Sequence, residues 1–326
     1  MTIAYAAEFV IGVFTSPDLK EWTHASSFTK HGHLGVQYEC PNLLQMPMRG
    51  QEEPVWLLVI SINPGGPRGG SVSQYFVGDF NGTHFELFDD ATRLTDFGKD
   101  NYAAQFFHGV PANEPQIALG WASNWQYTQL VPTGLLEHAS LQLVARQRTI
   151  MTYFGDVESG AVYFEAKITN LTSSTRKGTA NFTISSSLPG EYIQGGIKVA
   201  GEPGIWIDRG HVRGFDNTYF SDKFSEEGTF VPSNASWNMS VVVDRSMIEI
   251  FLDGAQAAGT LTFFPNAPLD TLAIYVGGID ATASSSVAVW GLKDTWAPQA
   301  DVNATVAGNV TQVEMSYRKR SSERLM

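Results

Sequence analysis

Glu39 stands in the stretch Tyr38-Glu39-Cys40-Pro41-Asn42-Leu43, just ahead of a strand-like run. An aromatic ring, a thiol and a proline around a carboxyl group strip it of hydration. That favours the neutral form and suits the group to act as a general acid. A Glu that caps a turn or pairs with an Arg would give the same spacing. Two later stretches add planar and polar groups, Asp96-Phe97-Gly98-Lys99-Asp100-Asn101-Tyr102-Ala103 and Gly120-Trp121-Ala122-Ser123-Asn124-Trp125-Gln126-Tyr127. Carboxylates beside Trp, Asn, Gln and Tyr suit a sugar, because rings stack on C–H faces while acids and amides bond hydroxyls. Packing between the blades of a propeller would use the same aromatics equally well. Other chemistries lack their residues. His31-x-His33 is too short a constellation for a metal site and fits a surface loop. One cysteine, Cys40, excludes an intrachain disulfide framework and a Cys-based zinc site. The chain has neither a phosphate-cradling Gly loop with its Lys nor a nucleophile-elbow Ser.

The elements that must position these groups read as β throughout. Short β-rich runs bounded by turn residues recur at 8–15, 55–62, 73–79, 116–122, 161–168, 179–185, 204–208, 239–243, 247–252, 271–276 and 286–290. Asp253-Gly254 after Met247–Leu252 signals a tight hairpin. No window shows an amphipathic helix of three turns or more. Many short, evenly punctuated strands imply a sandwich, barrel or propeller. Before residues 150–160 the strands are separated by long Gly/Pro/aromatic loops, such as Asn63-Pro64-Gly65-Gly66-Pro67-Arg68-Gly69-Gly70, which suit a ligand-binding face. After that boundary they are regular, with Ser/Thr loops. From Pro298 the chain turns polar and reads as a disordered tail.

Length and charge bound the partners. The chain has 326 residues, roughly two domains' worth, and 33 acidic against 21 basic side chains give a net charge of −12. That balance argues against a nucleic-acid or anionic-membrane partner. The one dense basic cluster, Arg318-Lys319-Arg320, reads as a solvated tail. The longest apolar run, Val55–Ile62, is far short of the roughly 20 residues that span a bilayer. With 14 Asn and 51 Ser plus Thr in 326 positions, chance would place about two N-x-S/T sequons. There are seven, at Asn81, Asn170, Asn181, Asn234, Asn238, Asn303 and Asn309. The excess suggests a secreted lineage, whereas the opening residues have no basic start, apolar stretch or cleavage site. Both features together imply a chain whose beginning is missing.

Several of these stretches, taken in order, carry a resemblance. Ser16-Pro17-Asp18-Leu19-Lys20-Glu21-Trp22, Tyr38–Leu43, Tyr75-Phe76-Val77-Gly78-Asp79-Phe80-Asn81-Gly82, Phe97–Ala103 and Gly120–Tyr127 are followed by Ile205-Trp206-Ile207-Asp208-Arg209-Gly210 and Asp244-Arg245-Ser246-Met247-Ile248-Glu249-Ile250-Phe251. From residue 1 to about 297 the chain resembles glycoside hydrolase family 32, the fungal or yeast β-fructofuranosidases (invertases, exo-inulinases, levanases). The resemblance implies an all-β fold, a five-bladed β-propeller followed by a β-sandwich. Here the propeller would be incomplete, over 1–150, with the sandwich over 155–297 and the tail over 298–326. It implies a retaining mechanism with two carboxylates about 5 to 5.5 Å apart. Glu39 takes the acid/base position of the Glu-Cys motif, with Cys40 tuning it. Asp100, Trp121, Asn124 and Trp125 match positions that shape the fructose pocket. No cofactor or metal is implied. The partner is a small or polymeric fructoside, and a homodimer is compatible with the family.

The chain departs from the family pattern in four places. The nucleophile Asp belongs to a W-M-N-D-P-N-G motif and a transition-state-stabilising Asp to an R-D-P motif, and neither occurs in the 326 residues. Gly78-Asp79-Phe80-Asn81-Gly82 has its own position in a later hairpin and is not the nucleophile motif. Asn101 replaces a usual aromatic. Around Gly134 to Arg148 the expected Pro-Trp-Arg-Gly-type segment is not legible. Two readings follow: a secreted β-fructofuranosidase known here from an N-terminally incomplete chain, inactive as it stands, or a non-catalytic protein of the family that binds fructan or sucrose or acts through its sandwich.

Overall fold

The computed structural model describes the chain except residues 49, 133–142, 147–148, 172–177, 189, 199–203, 228–235, 279–282, 294–310 and 316–326. Among the described residues the fold is strand throughout, with two short 3₁₀ turns at Ala6–Glu8 and Thr128–Leu130. The chain divides into two compact units, Met1–Leu130 with Gly259–Leu261, and Val131–Ala258 with Thr262–Met326.

The first unit holds three antiparallel sheets. Strands β1 (Thr2–Tyr5), β2 (Val10–Thr15) and β3 (Thr23–Thr29) form one. A second contains β4 (Tyr38–Met46), β5 (Val55–Ile62), β6 (Val72–Phe80), β7 (Phe85–Leu87) and β8 (Arg93–Leu94), in the order β4-β5-β6-β7 with β8 also on β6. The third is the pair β9 (Tyr102–Phe106) and β10 (Ala118–Trp121). Sequential meanders of this kind are the sheets of propeller blades. The apolar run of β5 has a physical cause, since period-two alternation feeds two cores at once. Leu58, Ile60 and Ile62 pack with Ile11, Phe28, Tyr38 and Phe76, while Val55, Leu57 and Val59 pack with Val77. All four residues of β10 are exposed, among them Leu119 and Trp121.

The second unit is a two-sheet sandwich. One sheet runs β11 (Leu143–Arg146), β12 (Thr149–Tyr153), β21 (Thr271–Gly277), β14 (Thr179–Ser185), β15 (Tyr192–Lys198), β16 (Gly204–His211) and β17 (Lys223–Glu227). The other runs β20 (Ala257–Thr262, whose residues Gly259–Leu261 count with the first unit), β19 (Met247–Leu252), β18 (Trp237–Asp244), β13 (Ala161–Thr169), β22 (Ser284–Gly291) and β23 (Thr311–Met315). Strict alternation, such as Val162, Phe164, Ala166 and Ile168 inward on β13, sets one face of each strand in the core. Phe164 of one sheet meets Phe182 of the other edge-on, ring centroids 5.7 Å apart.

The structure shifts several sequence readings. The division between units falls at Leu130–Val131, ahead of the composition change at 150–160, because β11 pairs with β12 and β12 with β21 of the sandwich. Glu39 lies within β4 and not on a loop before it, and Tyr102 opens a strand. The two-residue hairpin turn is Arg245-Ser246, where Asp244 pairs with Met247. Asp253 and Gly254 do adopt the positive φ that their types favour, at 47° and 75°, in a longer loop closed by Gln256 N–H donating to the Leu252 carbonyl at 2.9 Å. Within the segment read as a polar tail, Thr311–Met315 pairs antiparallel with β22. The rest of that tail, with Arg318-Lys319-Arg320, lies outside the described residues. So do Asn234, Asn303, Asn309 and most of the Gly134–Arg148 segment.

Candidate active site

Glu39 is placed by a break in strand register. It pairs with Ser61 on β5, and regular pairing resumes only at Asn42 with Val59. The extra residue between them bulges β4, and Cys40 takes a left-handed φ of 47°, which few non-glycine residues adopt. Bulges of this kind redirect a side chain. The neighbour Tyr38 points the other way, fully buried in the core, its hydroxyl donating to the His31 carbonyl at 2.6 Å.

Two donors reach the redirected carboxyl group. Gln37 Nε2 donates to Glu39 Oε1 at 2.5 Å, and the Tyr102 hydroxyl donates to Oε2. Partial burial holds the Glu39 carboxyl above the ordinary glutamate range, against the pull of the Gln37 bond. Burial, and then the charge of Glu39, likewise push up the Cys40 thiol and keep it protonated. With Gln37 on Oε1, the proton of the acid form sits on Oε2, where the Tyr102 oxygen can turn from donor to acceptor. A half-buried carboxyl group with these partners can give a proton and take one back.

Beyond Tyr102 the aromatic groups continue as a wall. The ring of Trp121 lies 6.4 Å from that of Tyr102, and Trp125 meets Trp121 edge-on at 5.0 Å. Trp121 and Trp125 are 40% and 42% exposed, unusual for Trp, so part of each ring is open to solvent. Asn124 behaves differently. It is fully buried, and its Nδ2 donates to the carbonyls of Gly69, Ser71 and Lys99 at 3.2, 3.4 and 3.0 Å. Its Oδ1 accepts from Gln126 N–H at 3.0 Å. The side chain thereby fixes the Gly-rich loop after β5 beneath the Trp pair. Gly70 must be glycine there, since its φ is +73° and an added Cβ would lie 1.9 Å from Asn124 Oδ1.

Asp100 is also fully buried, accepting from the Tyr127 hydroxyl on Oδ1, with its own N–H donating to the Thr260 carbonyl at 3.2 Å. Tyr102 thus links Glu39 to Trp121 and, beyond it, Trp125, with Cys40 next to Glu39 in the bulge, while Asp100 and Asn124 lie in the buried layer that carries Tyr127. Gln37, Tyr102 and Tyr127 are the partners that residue types alone did not assign. Asp79 is exposed near the end of β6, paired with Glu86 of β7, as its hairpin position implied. Among the described residues no cluster of His, Cys, Asp and Glu could hold a metal ion.

Comparison with known proteins gives this arrangement a family. The N-terminal domain of glycosyl hydrolases family 32 matches residues 1–157, and the C-terminal domain of the same family matches residues 136–291. The chain belongs to glycoside hydrolase family 32. Among family 32 relatives, the extracellular exo-inulinase of Meyerozyma guilliermondii is 34% identical over 308 residues, covering 81% of this chain and 59% of its own length. Invertase 2 of Saccharomyces cerevisiae is 32% identical over 319 residues, covering 81% and 60%. The chain therefore spans about 60% of the length of these relatives. The β-fructofuranosidase of Schwanniomyces occidentalis, solved with fructosyl-erythritol, superposes with a TM-score of 0.73 at 27% identity, over 90% of this chain and 67% of that one. The propeller-plus-sandwich expectation stands with this family.

One buried acid in the family 32 chain has a measurable consequence. Asp96 Oδ1 accepts from Gly98 N–H at 2.6 Å and Thr260 N–H at 2.9 Å, and Oδ2 accepts from the Thr260 hydroxyl at 2.9 Å. Burial pushes its carboxyl up to about 7 against these donors, with the charge of Asp100 adding to the rise. The folded chain then keeps a proton that the unfolded chain has released, so stability falls as pH rises from about 4 to about 7 and levels off above, with a slope of up to about 1.4 kcal/mol per pH unit. Asp96→Asn keeps one acceptor oxygen for the two N–H donors, turns the other position into an NH2 that can donate to the Thr260 hydroxyl, and is expected to remove that slope. Urea unfolding at a series of pH values checks it, and an unchanged slope assigns the proton elsewhere.

Proposed function

We propose that the chain carries the acid/base half of a retaining β-fructofuranosidase site, acting on terminal β-fructosides such as those of sucrose, inulin or levan. The observation that carries this reading is the Glu39 carboxyl group, held above its usual range beside the exposed Trp121 and Trp125. In the first step a carboxylate attacks the anomeric carbon of the fructosyl unit while Glu39 gives its proton to the leaving oxygen. In the second, Glu39 takes a proton from water as that water attacks the same carbon and frees the carboxylate. Tyr102 and Gln37 hold Glu39 in both protonation states. Trp121 and Trp125 supply faces for the C–H surface of the sugar. Asp100 and Asn124 keep the pocket floor in shape.

The attacking carboxylate belongs to a motif that the 326 residues do not contain, so binding is the activity that the chain can show by itself. Export from the cell fits the extracellular exo-inulinase relative and the seven sequons. The test is calorimetric titration of the chain with fructose, sucrose and inulin, alongside Trp121→Ala. Saturable binding to a fructoside, weakened at least about tenfold by Trp121→Ala, is the expected result. Absence of binding to all three ligands by the folded chain would sink the reading.

A further inference from the structure

Three residues after Glu39, the side chain of Asn42 joins two strands that no backbone ladder connects. β4 pairs with β5, and β9 pairs with β10. Across that gap Asn42 Nδ2 donates to the Cys40 carbonyl at 3.0 Å and to the Ala104 carbonyl at 3.0 Å, while Oδ1 accepts from Phe106 N–H at 3.2 Å. The amide thus stands in for a peptide group between the sheets. It acts where the backbone is least regular, because Cys40 and Ala103 are both left-handed, at φ 47° and 53°. Non-glycine residues persist in that region only when their surroundings fix them. Gln105 Nε2 makes a weaker version of the same bridge, at 3.2 Å from the Ala104 carbonyl and 3.5 Å from that of Cys40.

Each side of the bridge carries one half of the Glu39 site. The bulge on β4 sets the direction of Glu39, and the start of β9 sets the phenol of Tyr102 that bonds it. We propose that Asn42 is a positioning residue for Glu39: by tying the bulge of β4 to β9 it keeps the Tyr102 hydroxyl on Glu39 Oε2. The inference rests on the reading of Glu39 as acid/base but is tested without turnover. Because the phenol donates to the carboxylate form, its loss raises the Glu39 midpoint. If Asn42 works through that bond, removing either residue removes the same interaction, and the two changes do not add.

The experiment is a carboxyl-carbon NMR titration of the 326-residue chain labelled at the glutamate side-chain carboxyl, with Glu39→Gln to assign the resonance. Wild type, Tyr102→Phe, Asn42→Ala and the double variant are compared. Tyr102→Phe and Asn42→Ala are each expected to raise the Glu39 midpoint by about half a pH unit or more, and the double variant should match Tyr102→Phe alone. A midpoint unmoved by Asn42→Ala, or shifts that sum in the double variant, overturns the proposal. Should Asn42→Ala fail to fold, Asn42→Ser replaces it in the same cycle, since its short hydroxyl adds no charge near Glu39 and cannot hold the Cys40 and Ala104 carbonyls and Phe106 N–H together. Failure of the acid/base reading is a separate outcome, visible as fructoside hydrolysis indifferent to Glu39 when the chain is fused behind the first blades of an active family 32 relative.

Discussion

Incubated with sucrose or inulin, the 326-residue chain is expected to release fructose at a rate indistinguishable from background. General acid assistance contributes about 10²- to 10⁴-fold, whereas enzymes accelerate their reactions by about 10⁶-fold or more. A retaining glycosidase also needs its covalent step, and that step requires a second carboxylate facing the acid. The residues that could be mistaken for it are placed elsewhere. Asp79 is exposed at a β6–β7 hairpin, and Asp96 and Asp100 are buried and held by hydrogen bonds. The measurement is coupled detection of fructose with purified chain at high protein concentration. Release at a rate typical of family 32, abolished by Glu39→Gln, would show that another residue of this chain serves as nucleophile.

How much of this was legible beforehand depends on the range of the interactions. Strands such as Val55–Ile62, Thr179–Ser185 and Met247–Leu252 announce themselves in local patterns, because alternation and β-branched content reflect burial on the faces of one strand. Glu39 was legible as a candidate because its immediate neighbours already imply desolvation. Its partners were not, for Tyr102 lies 63 positions away and only the fold brings the two together. Buried amides were read less well than exposed rings. Asn124 beside Trp125 suggests ligand contact by type, yet its hydrogen bonds run to three backbone carbonyls. The bulge at Cys40 had no signal either, since Cys and Pro give no warning of a left-handed residue inside a strand. Strands β4 and β9 were missed because loop-like residues, Pro41-Asn42 and Lys99-Asp100-Asn101, break up or adjoin their apolar patterns.

Fused behind the first two blades of an active family 32 relative, so that a nucleophile motif precedes Met1, the chain is expected to hydrolyse sucrose, and Glu39→Gln should then lower kcat/KM by about 10²- to 10⁴-fold. The size of the loss follows from the leaving group. An alkoxide is expelled poorly without a proton, so the acid matters most for sucrose and least for an aryl fructoside whose phenolate leaves unaided. The pH profile carries a second signature. Burial raises the Glu39 carboxyl, so the proton it must donate is retained to higher pH than an exposed Glu would allow, and the rate should fall as pH rises through that raised midpoint. Glu39→Gln should erase this limb and leave the others in place. Azide, which attacks the covalent intermediate without needing a base, should restore turnover of the aryl fructoside by Glu39→Ala. Sucrose hydrolysis that persists in Glu39→Gln with an unchanged pH profile would remove Glu39 from the reaction. A folded chimera with no activity even before mutation would place the defect in the pocket itself, and the first segment to exchange is then 134–148, where the family pattern is not legible.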